Sequence, residues 1–565
     1  MIQDKLKKII KDALESESLF VEVEEISLEH PSDLNFGDYS SNVALTQAKR
    51  LKINPRELAH KIVNAITKQR IKELKKVEVA GHGFVNFFLS KEFFAESISK
   101  TIKEDGSFGA NKSLEGQKVM IEYTDPNPFK EFHIGHLMSN TIGESLSRII
   151  KFHGAEVKRT CYQGDVGLHV AKAIYSAMKN DEPKNAEEWG SAYAKGSVAY
   201  EDDTIAKKEI DELNKKIYDQ SDEKINALYG SGRTVSLKAF EEIYKKLGTH
   251  FDYYFFESEM VKPGLETVKK FLEKGVFEKS DGAVVFKGEK YNPSLHTRVY
   301  ITSQGLPTYE AKELGLHIVK VETYPADISI VITANEQDGV FAVGLEALRQ
   351  IEPRLAEKVK HISHGLLKLP SGKMSSRKGN VLTAEELIVD VEKLVLEKIK
   401  ERNYDEALKK EIIEKVSIGA IKYSILKHTI GSDIIYDFDK SISFEGESGP
   451  YLQYSFARAK SVLEKAEKEG INPFAKKAIS ETLELEKLLY RFPEIVARSG
   501  KEHSPHYIAS YLVEIAGSFN SFYAKHKIVD KEDENSSYKV VLTTAFATTM
   551  RNGLNLLGIQ VPERM

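Results

Sequence analysis

The feature that most constrains this chain is the peptide KVMIEYTDPNPFKEFHIGH, residues 118–136. KVMIEY reads as a buried strand. A Pro/Asn loop follows, and from about Gly135 to Phe152 the apolar spacing is helical. EVKRTCYQGD supplies the next strand and its turn. Strand, loop, helix and strand make a βαβ unit, and the loop falls at the carboxyl end of the first strand, where open parallel sheets bind ligands. His133 and His136 stand three apart on one face of the helix start. Backbone N–H groups and the positive end of the helix dipole are directed to the same place, and Gly135 leaves room for a flat base against the backbone. Such a site suits a triphosphate, because hydrogen bonds from the imidazoles strengthen as charge builds on the α-phosphate during displacement. Two solvated histidines at a helix start are the alternative reading.

A second peptide, GKMSSRKGN, spans residues 372–380 and sets Lys373, Arg377 and Lys378 between Gly372 and Gly379. A mobile basic loop of this kind closes over phosphates and neutralises departing pyrophosphate. A solvated basic turn has the same composition. The peptide does not fit the G-x-x-x-x-G-K-[ST] phosphate loop.

The bulk numbers set the frame. At about 150 residues per domain, 565 residues imply three or four domains. Hydrophobic residues make up 41% and charged residues 29%, as in ordinary globular protein, and the net charge of −4 confines any nucleic-acid-binding potential to one face. The single cysteine, Cys161, excludes a disulfide framework and any structural zinc site with two thiolates, and no H-E-x-x-H pattern occurs. The amphipathic start MIQDKLKKIIKDALESESLF lacks the apolar stretch of a signal peptide, and no apolar run is long enough for a membrane span. The expectation is a cytoplasmic enzyme without zinc and without a membrane partner. The fold expected is multidomain α/β. Residues 1–112 form a small α+β domain, 113–385 a Rossmann-type parallel-sheet domain with an insertion at about 170–295, and 386–565 an all-α helical bundle.

Together, the early HIGH-type peptide and the late K-M-S-S-R peptide resemble the paired signatures of class I aminoacyl-tRNA synthetases. IEYTDPNPFKEFHIGH resembles the arginyl version of the first signature. The resemblance implies ATP-dependent formation of arginyl-adenylate and transfer to the 3′-terminal adenosine of tRNA(Arg), with L-arginine, ATP and Mg2+ as partners, and a monomer. It places His133, Gly135, His136, Lys373, Met374, Ser375 and Arg377 on ATP, and Glu122 and Asn127 on arginine. GLPTYEAKELG adds Tyr309 and Glu313, four apart on one helical face, and TANEQDG adds Gln337. A guanidinium presents five donors in a fixed fork, which suits carboxylates. The family often has aspartate where Glu313 stands. Ser376 occupies the position of the usual second lysine of the late signature, and either Lys130 or Arg377 supplies the missing charge. QGDVGLH resembles the family's glycine–aspartate–glycine turn. GPYLQYSFARAKSVL resembles the anticodon-binding helices, implying tRNA contacts from Tyr451, Gln453, Tyr454 and Arg458. At helical spacing the same aromatics also suit a core. The alternatives are a class I synthetase for another amino acid and a non-catalytic tRNA-binding relative.

Overall fold

The computed structural model describes residues 1–369, 382–473, 482–562 and 564–565. Its centre is a parallel five-stranded sheet in the order Val359–His364, Ile328–Ala334, Lys118–Glu122, Glu156–Gln163, Tyr253–Phe256. Val119, Met120 and Ile121 are all buried, so both faces of the central strand are covered, as the continuous apolar run requires. From Lys118–Glu122 the chain winds first to one side through Glu156–Gln163, then later to the other through Ile328–Ala334. That reversal opens a crevice at the carboxyl ends of these strands.

The helix Ile134–Phe152 follows the central strand and is buried on almost every side, including the polar residues Ser139, Asn140 and Glu144. One side packs on the sheet and the other on the C-terminal helices, so sheet and helices share one continuous apolar core. The C-terminal third is helical, led by Ala384–Ile399, Glu406–Leu426, Gly449–Lys468, His506–Lys525 and Ser536–Leu556. The N-terminal segment has its own core over the antiparallel sheet Tyr39–Ser41, Phe84–Leu89, Leu74–Ala80. Tyr490 of the helical third enters that core. Beside it, Glu494 accepts a hydrogen bond from the Tyr39 hydroxyl at 2.5 Å and lies 3.1 Å from His30 Nε2.

The region expected as an insertion is more divided than its composition implies. Four helices, Leu168–Lys179, Ala186–Asp202, Thr204–Asp219 and Glu223–Leu247, enclose Trp189 and Phe129. Tyr253–Phe256, inside the expected 170–295 span, is instead the edge strand of the catalytic sheet. Its run of aromatics lacks the β-branched residues of a buried strand and is too short to signal a βαβ unit. The DGAVVF segment turns at Asp281 and Gly282, both at positive φ, and leads into a small antiparallel sheet, Glu278–Ser280, Ala283–Lys287 and Thr297–Ile301.

A buried polar clamp fixes the sheet to the end of the chain. Glu144 pairs with Arg148 at 2.7 Å and Arg159 at 3.2 Å and accepts from the Tyr123 hydroxyl at 2.8 Å. Arg148 also donates to the carbonyl and side chain of Asn555, and Ser145 donates to the Leu556 carbonyl at 2.9 Å. The ammonium of Lys422 donates to the carbonyls of Leu247 and Gly558 at 2.6 and 2.8 Å, and burial pulls its pKa down to about 7. Removing the acid leaves two guanidinium groups short of their counter-ion. Glu144→Ala should therefore lower the unfolding free energy, read by urea titration of the full chain, by about 3–5 kcal/mol. A loss under about 1 kcal/mol, the range of an exposed pair, would contradict the clamp.

Candidate active site

The loop between the central strand and the helix is strained and pinned. Thr124, Asp125 and Phe129 have φ of 84°, 46° and 69°, a region that non-glycine residues rarely occupy. Each such residue costs about 1–3 kcal/mol unless its surroundings impose it. Here they do. Thr124 N–H donates to Ser139 Oγ at 3.0 Å, Asn140 Nδ2 donates to Thr124 Oγ1 at 3.0 Å, Tyr162 N–H donates to Asp125 Oδ1 at 2.7 Å, and Phe129 N–H donates to Ser236 Oγ at 2.9 Å.

His133 is the N-cap of the helix and His136 its third residue, with their rings stacked at 3.6 Å. Gly135 N–H donates to His133 Nδ1 at 3.1 Å, and His133 N–H donates to His136 Nδ1 at 3.2 Å. Each Nδ1 is an acceptor, so each neutral ring carries its proton on Nε2. Burial, then Lys130, lowers His133 to about 4. Burial, then His133 and Lys130, lowers His136 well below the ordinary value. The pair is therefore neutral at pH 7, offering two Nε2–H donors. The sequence alone suggested that Gly135 makes room for a base and that the first N–H groups are free for phosphate. A Cβ at Gly135 would lie 2.9 Å from His133 Cε1, so the glycine first admits the ring that takes up its own N–H.

The residues that follow the late basic peptide, from Leu382 on, pack beside these histidines. Ile134 N–H donates to the Leu382 carbonyl at 3.2 Å and Ala384 N–H to the Phe132 carbonyl at 2.8 Å, forming an antiparallel bridge between His133 and Thr383. Thr383 caps the helix Ala384–Ile399 with Glu386. On the other side, Leu367–Lys368 follows the sheet strand Val359–His364 and pairs with Ile434–Ile435. The described residues on either side, 367–369 and 382–384, thus lie at the carboxyl end of the sheet and against the histidines. Lys373, Met374, Ser375 and Arg377 lie outside the described residues.

Next to the histidines the strand end opens on a cluster of buried carboxylates. Glu122 is 1% exposed, with Lys320 Nζ at 2.5 Å from Oε2. Glu313 is 8% exposed, and neither of its oxygens has a hydrogen-bond partner of good geometry. Burial, then the charge of Glu122, pushes it up to about 8, while Lys320 and the adjacent Tyr309 hydroxyl pull the other way. Asp125 is also raised, by burial and by Glu122. Glu257 is closed by a short ion pair with Lys312. A small cavity is lined by Tyr309, Glu310, Glu313 and His317 from one helix and by Val340 and Phe341 from the next. Gln337 ends the turn Asn335–Gln337, one turn before Val340 and Phe341.

Asn127 enters from the loop. A Cβ at Gly164 would lie 2.2 Å from Asn127 Oδ1 and 3.1 Å from Glu257 Oε1, so the glycine of the QGD turn is required by this approach. Its neighbour Asp165 is structural. It accepts from Ser258 N–H, Ser258 Oγ and Arg233 Nε, each at 2.8 Å, and from Tyr229 at 3.1 Å. Sequence reasoning missed Asp125, Tyr162, Glu257, Lys312 and Lys320. Lys320 follows Glu313 by seven residues, two helical turns, and that spacing was available in the sequence. Glu257 carries no local signal.

In the helical third, Arg458 lies 4.8 Å from the Tyr454 ring and 5.0 Å from the Tyr523 ring, and it donates to Asn520 Oδ1 at 2.5 Å. Asn520 in turn donates to the Tyr451 hydroxyl at 3.0 Å. Tyr523 is 43% exposed, so this cluster reaches the surface. Gln453 differs from its sequence-based expectation as an RNA contact. It is 0% exposed, and its amide donates to the carbonyls of Lys415 and Gln560 at 2.9 and 2.6 Å. The close approach of Gly419 lets it turn inward.

The histidine geometry has a direct pH consequence. The folded His133 titrates at about 4 against an ordinary 6.5, so between these values the unfolded chain binds a proton that the folded chain does not. This group therefore stabilises the fold above pH 6.5, and its contribution is lost as pH falls toward 4. Nitrogen-15 NMR of the imidazoles should show both as Nε2–H tautomers at pH 7, with no titration between 7 and 5.5. A midpoint near 6.5 for either ring would contradict the buried, capped arrangement.

Comparison with known proteins gives this geometry a family. A family model described as class I tRNA synthetases (R), catalytic domain, matches residues 97–438. An arginyl-tRNA synthetase N-terminal domain model matches residues 4–89, and a DALR anticodon-binding domain model matches 452–565. The arginine–tRNA ligase of Clostridium kluyveri is 33% identical over 549 residues, 95% of this chain and 96% of the relative. That of Borrelia hermsii is 31% identical over 100% of this chain and 99% of the relative. The solved arginyl-tRNA synthetase of Thermus thermophilus superposes with a TM-score of 0.81 at 24% identity, covering 100% of both chains. The Plasmodium falciparum structure gives 0.79 at 20% identity, covering 100% of this chain and 99% of that one. These two likenesses speak for the fold, and the closer sequence relatives and the catalytic model place the chain in the arginyl-tRNA synthetases of class I.

Proposed function

We infer that this chain is an arginine–tRNA ligase. It joins L-arginine to ATP as arginyl-adenylate and passes the arginyl group to the 3′-terminal adenosine of tRNA(Arg). The observation that carries the reading is a buried carboxylate, Glu313, without a hydrogen-bond partner of good geometry beside Glu122, which ends the strand whose following helix starts with a neutral pair of Nε2–H donors.

In the first step the arginine carboxylate attacks the α-phosphorus and the bond to pyrophosphate breaks. In the second a terminal ribose hydroxyl attacks the adenylate carbonyl, and AMP leaves. The chain forms no covalent bond to either, so its contribution is position and charge. Glu313 and Glu122 take the cationic groups of arginine, with Asn127, Tyr309 and Gln337 around them. His133 and His136 donate to phosphate oxygens as charge grows there. Neutral donors suit this role, since they do not bind the ground-state polyanion as tightly as imidazolium would. Lys130 supplies fixed positive charge. Its field lowers His133, His136 and His169 alike, and Arg377 is the alternative for this role. Lys373, Met374, Ser375 and Arg377 take the triphosphate, as the resemblance implies.

Magnesium enters with the triphosphate. Tyr451, Tyr454 and Arg458 present the anticodon face, with Gln453 set aside as structural. The working division is residues 1–112, 113–385 and 386–565, in a monomer acting in the cytoplasm. Among the described residues no helix is long and apolar enough to cross a membrane.

A charging assay with labelled arginine and tRNA(Arg) tests the reading. Glu313→Gln should raise the arginine KM about 100-fold, or about 2.7 kcal/mol, and leave the ATP KM unchanged. His136→Ala should lower kcat by about 10²–10³ with little change in arginine KM. Equal loss toward both substrates in Glu313→Gln, or no charging by the parent chain, would sink it.

A further inference from the structure

The carboxylate cluster contains more acid than one substrate needs. Glu122 ends the central strand, Asp125 sits in the strained loop, Glu257 begins its helix and Glu313 faces them from the helix Tyr309–Thr323. Two lysines lie among them, both from that last helix. Lys312 is committed to Glu257 and contacts the Tyr218 hydroxyl. Lys320 is buried, with its ammonium 2.5 Å from Glu122 Oε2 and no hydrogen-bond partner of good geometry. It is therefore held by charge rather than locked in a network. Once the two pairs are counted, Asp125 and Glu313 remain. Asp125 accepts a backbone hydrogen bond from Tyr162, and Glu313 alone lines the cavity with both oxygens unsatisfied.

We propose that Lys320 is a specificity-determining positioning residue of the amino-acid pocket: as a built-in counter-cation on Glu122 it leaves Glu313 as the one open carboxylate, so that fewer protons have to leave when a single guanidinium enters. The proposal rests on the reading of this pocket as the arginine site.

The physics follows from like charges sharing a small buried volume. Carboxylates that face one another without a cation hold protons at neutral pH, and a cation within about 4–6 Å lowers such a group by about 1–3 pH units. Glu313 faces Glu122, Asp125, Tyr162 and Glu257 from the neighbouring elements, and Tyr309, Lys312, His317 and Lys320 from its own helix. The lining from the next helix, Val340, Phe341, Gly344 and Leu345, is uncharged. Burial and Lys320 hold His317 near 3, so it is neutral and offers no compensating charge. Among these groups Lys320 is the cation that acts on both Glu313 and Asp125. Without it, Glu122, Asp125 and Glu313 share more protons, and an arriving guanidinium must expel more of them.

Arginine binding to the full chain, measured by titration calorimetry from pH 6.5 to 9 in buffers of differing ionisation heat, reads this directly. Protonation of Glu313 competes with the cation, so affinity rises with pH through its pKa. In Lys320→Met the rise should move up by about 1–3 pH units, and more protons should be released per arginine at pH 7. Lys320→Arg keeps the charge and should hold the parent's pH profile. A thermal melt monitors folding, and Lys320→Gln serves the same comparison if the methionine variant does not fold. A neutral variant whose pH profile and proton count superpose on the parent's, or an arginine variant that shifts as the neutral one does, overturns the proposal. If Glu313→Gln leaves arginine affinity untouched, the arginine site itself is misplaced, whatever Lys320 does.

Discussion

Two backbone hydrogen bonds join stretches that lie far apart in sequence. Ile134 N–H meets the Leu382 carbonyl, and Ala384 N–H meets the Phe132 carbonyl. Through them Leu382–Ala384, just after the late basic peptide, are fixed to the turn that holds His133. The geometry of a triphosphate site needs contributions from both sides of the nucleotide, and a parallel sheet supplies them only where its winding reverses. The bridge converts that topological opportunity into a fixed spacing. A side-chain contact would tolerate sliding, whereas a backbone bridge sets the register of Thr383 against His133.

Electrostatics then divides the crevice in two. The phosphate side offers neutral donors beside a lysine, and the amino-acid side offers carboxylates partly matched by lysines. Burial drives both halves in opposite directions, lowering the imidazoles and raising Glu313 and Asp125. The site therefore starts with little net charge in place before the substrates arrive. A cationic side chain and a polyanion each find partners that become fully charged, or more strongly hydrogen-bonded, only on binding.

Legibility in the sequence follows the range of the interaction. The strand, loop and histidine helix were readable because they are contiguous, and Glu122 was conspicuous as an acid inside an apolar run. Tyr309 and Glu313 were readable through helical spacing. Asp125 and Glu257 were not, because their proximity to Glu313 is created by strand order and by the Gly164 turn that admits Asn127. The edge strand Tyr253–Phe256 was hidden for a related reason. Its residues become a strand by pairing with Thr160–Gln163, not through a pattern of their own. Gln453 shows the opposite failure. An amide between two tyrosines on a helix reads the same whether it faces solvent or core. What turns it inward is the missing side chain of Gly419 on a different helix.

The same helix that caps its own start with His133 also carries Ser139 and Asn140 against Thr124, Glu144 against Tyr123, and Ser145 and Arg148 against residues 555 and 556. Thr124 and Tyr123 are the two residues that follow Glu122. The strained backbone around the amino-acid pocket and the end of the helix Ser536–Leu556 are thus held by one largely buried element. Close-packed interiors transmit displacement rather than absorb it. A shift of the C-terminal segment must either break the Arg148–Asn555 contact or move the helix, and moving the helix disturbs the pins that hold Thr124 at positive φ. Strain in this loop persists only while those pins are intact, which makes the shape of the arginine pocket depend on the docking of the helical third.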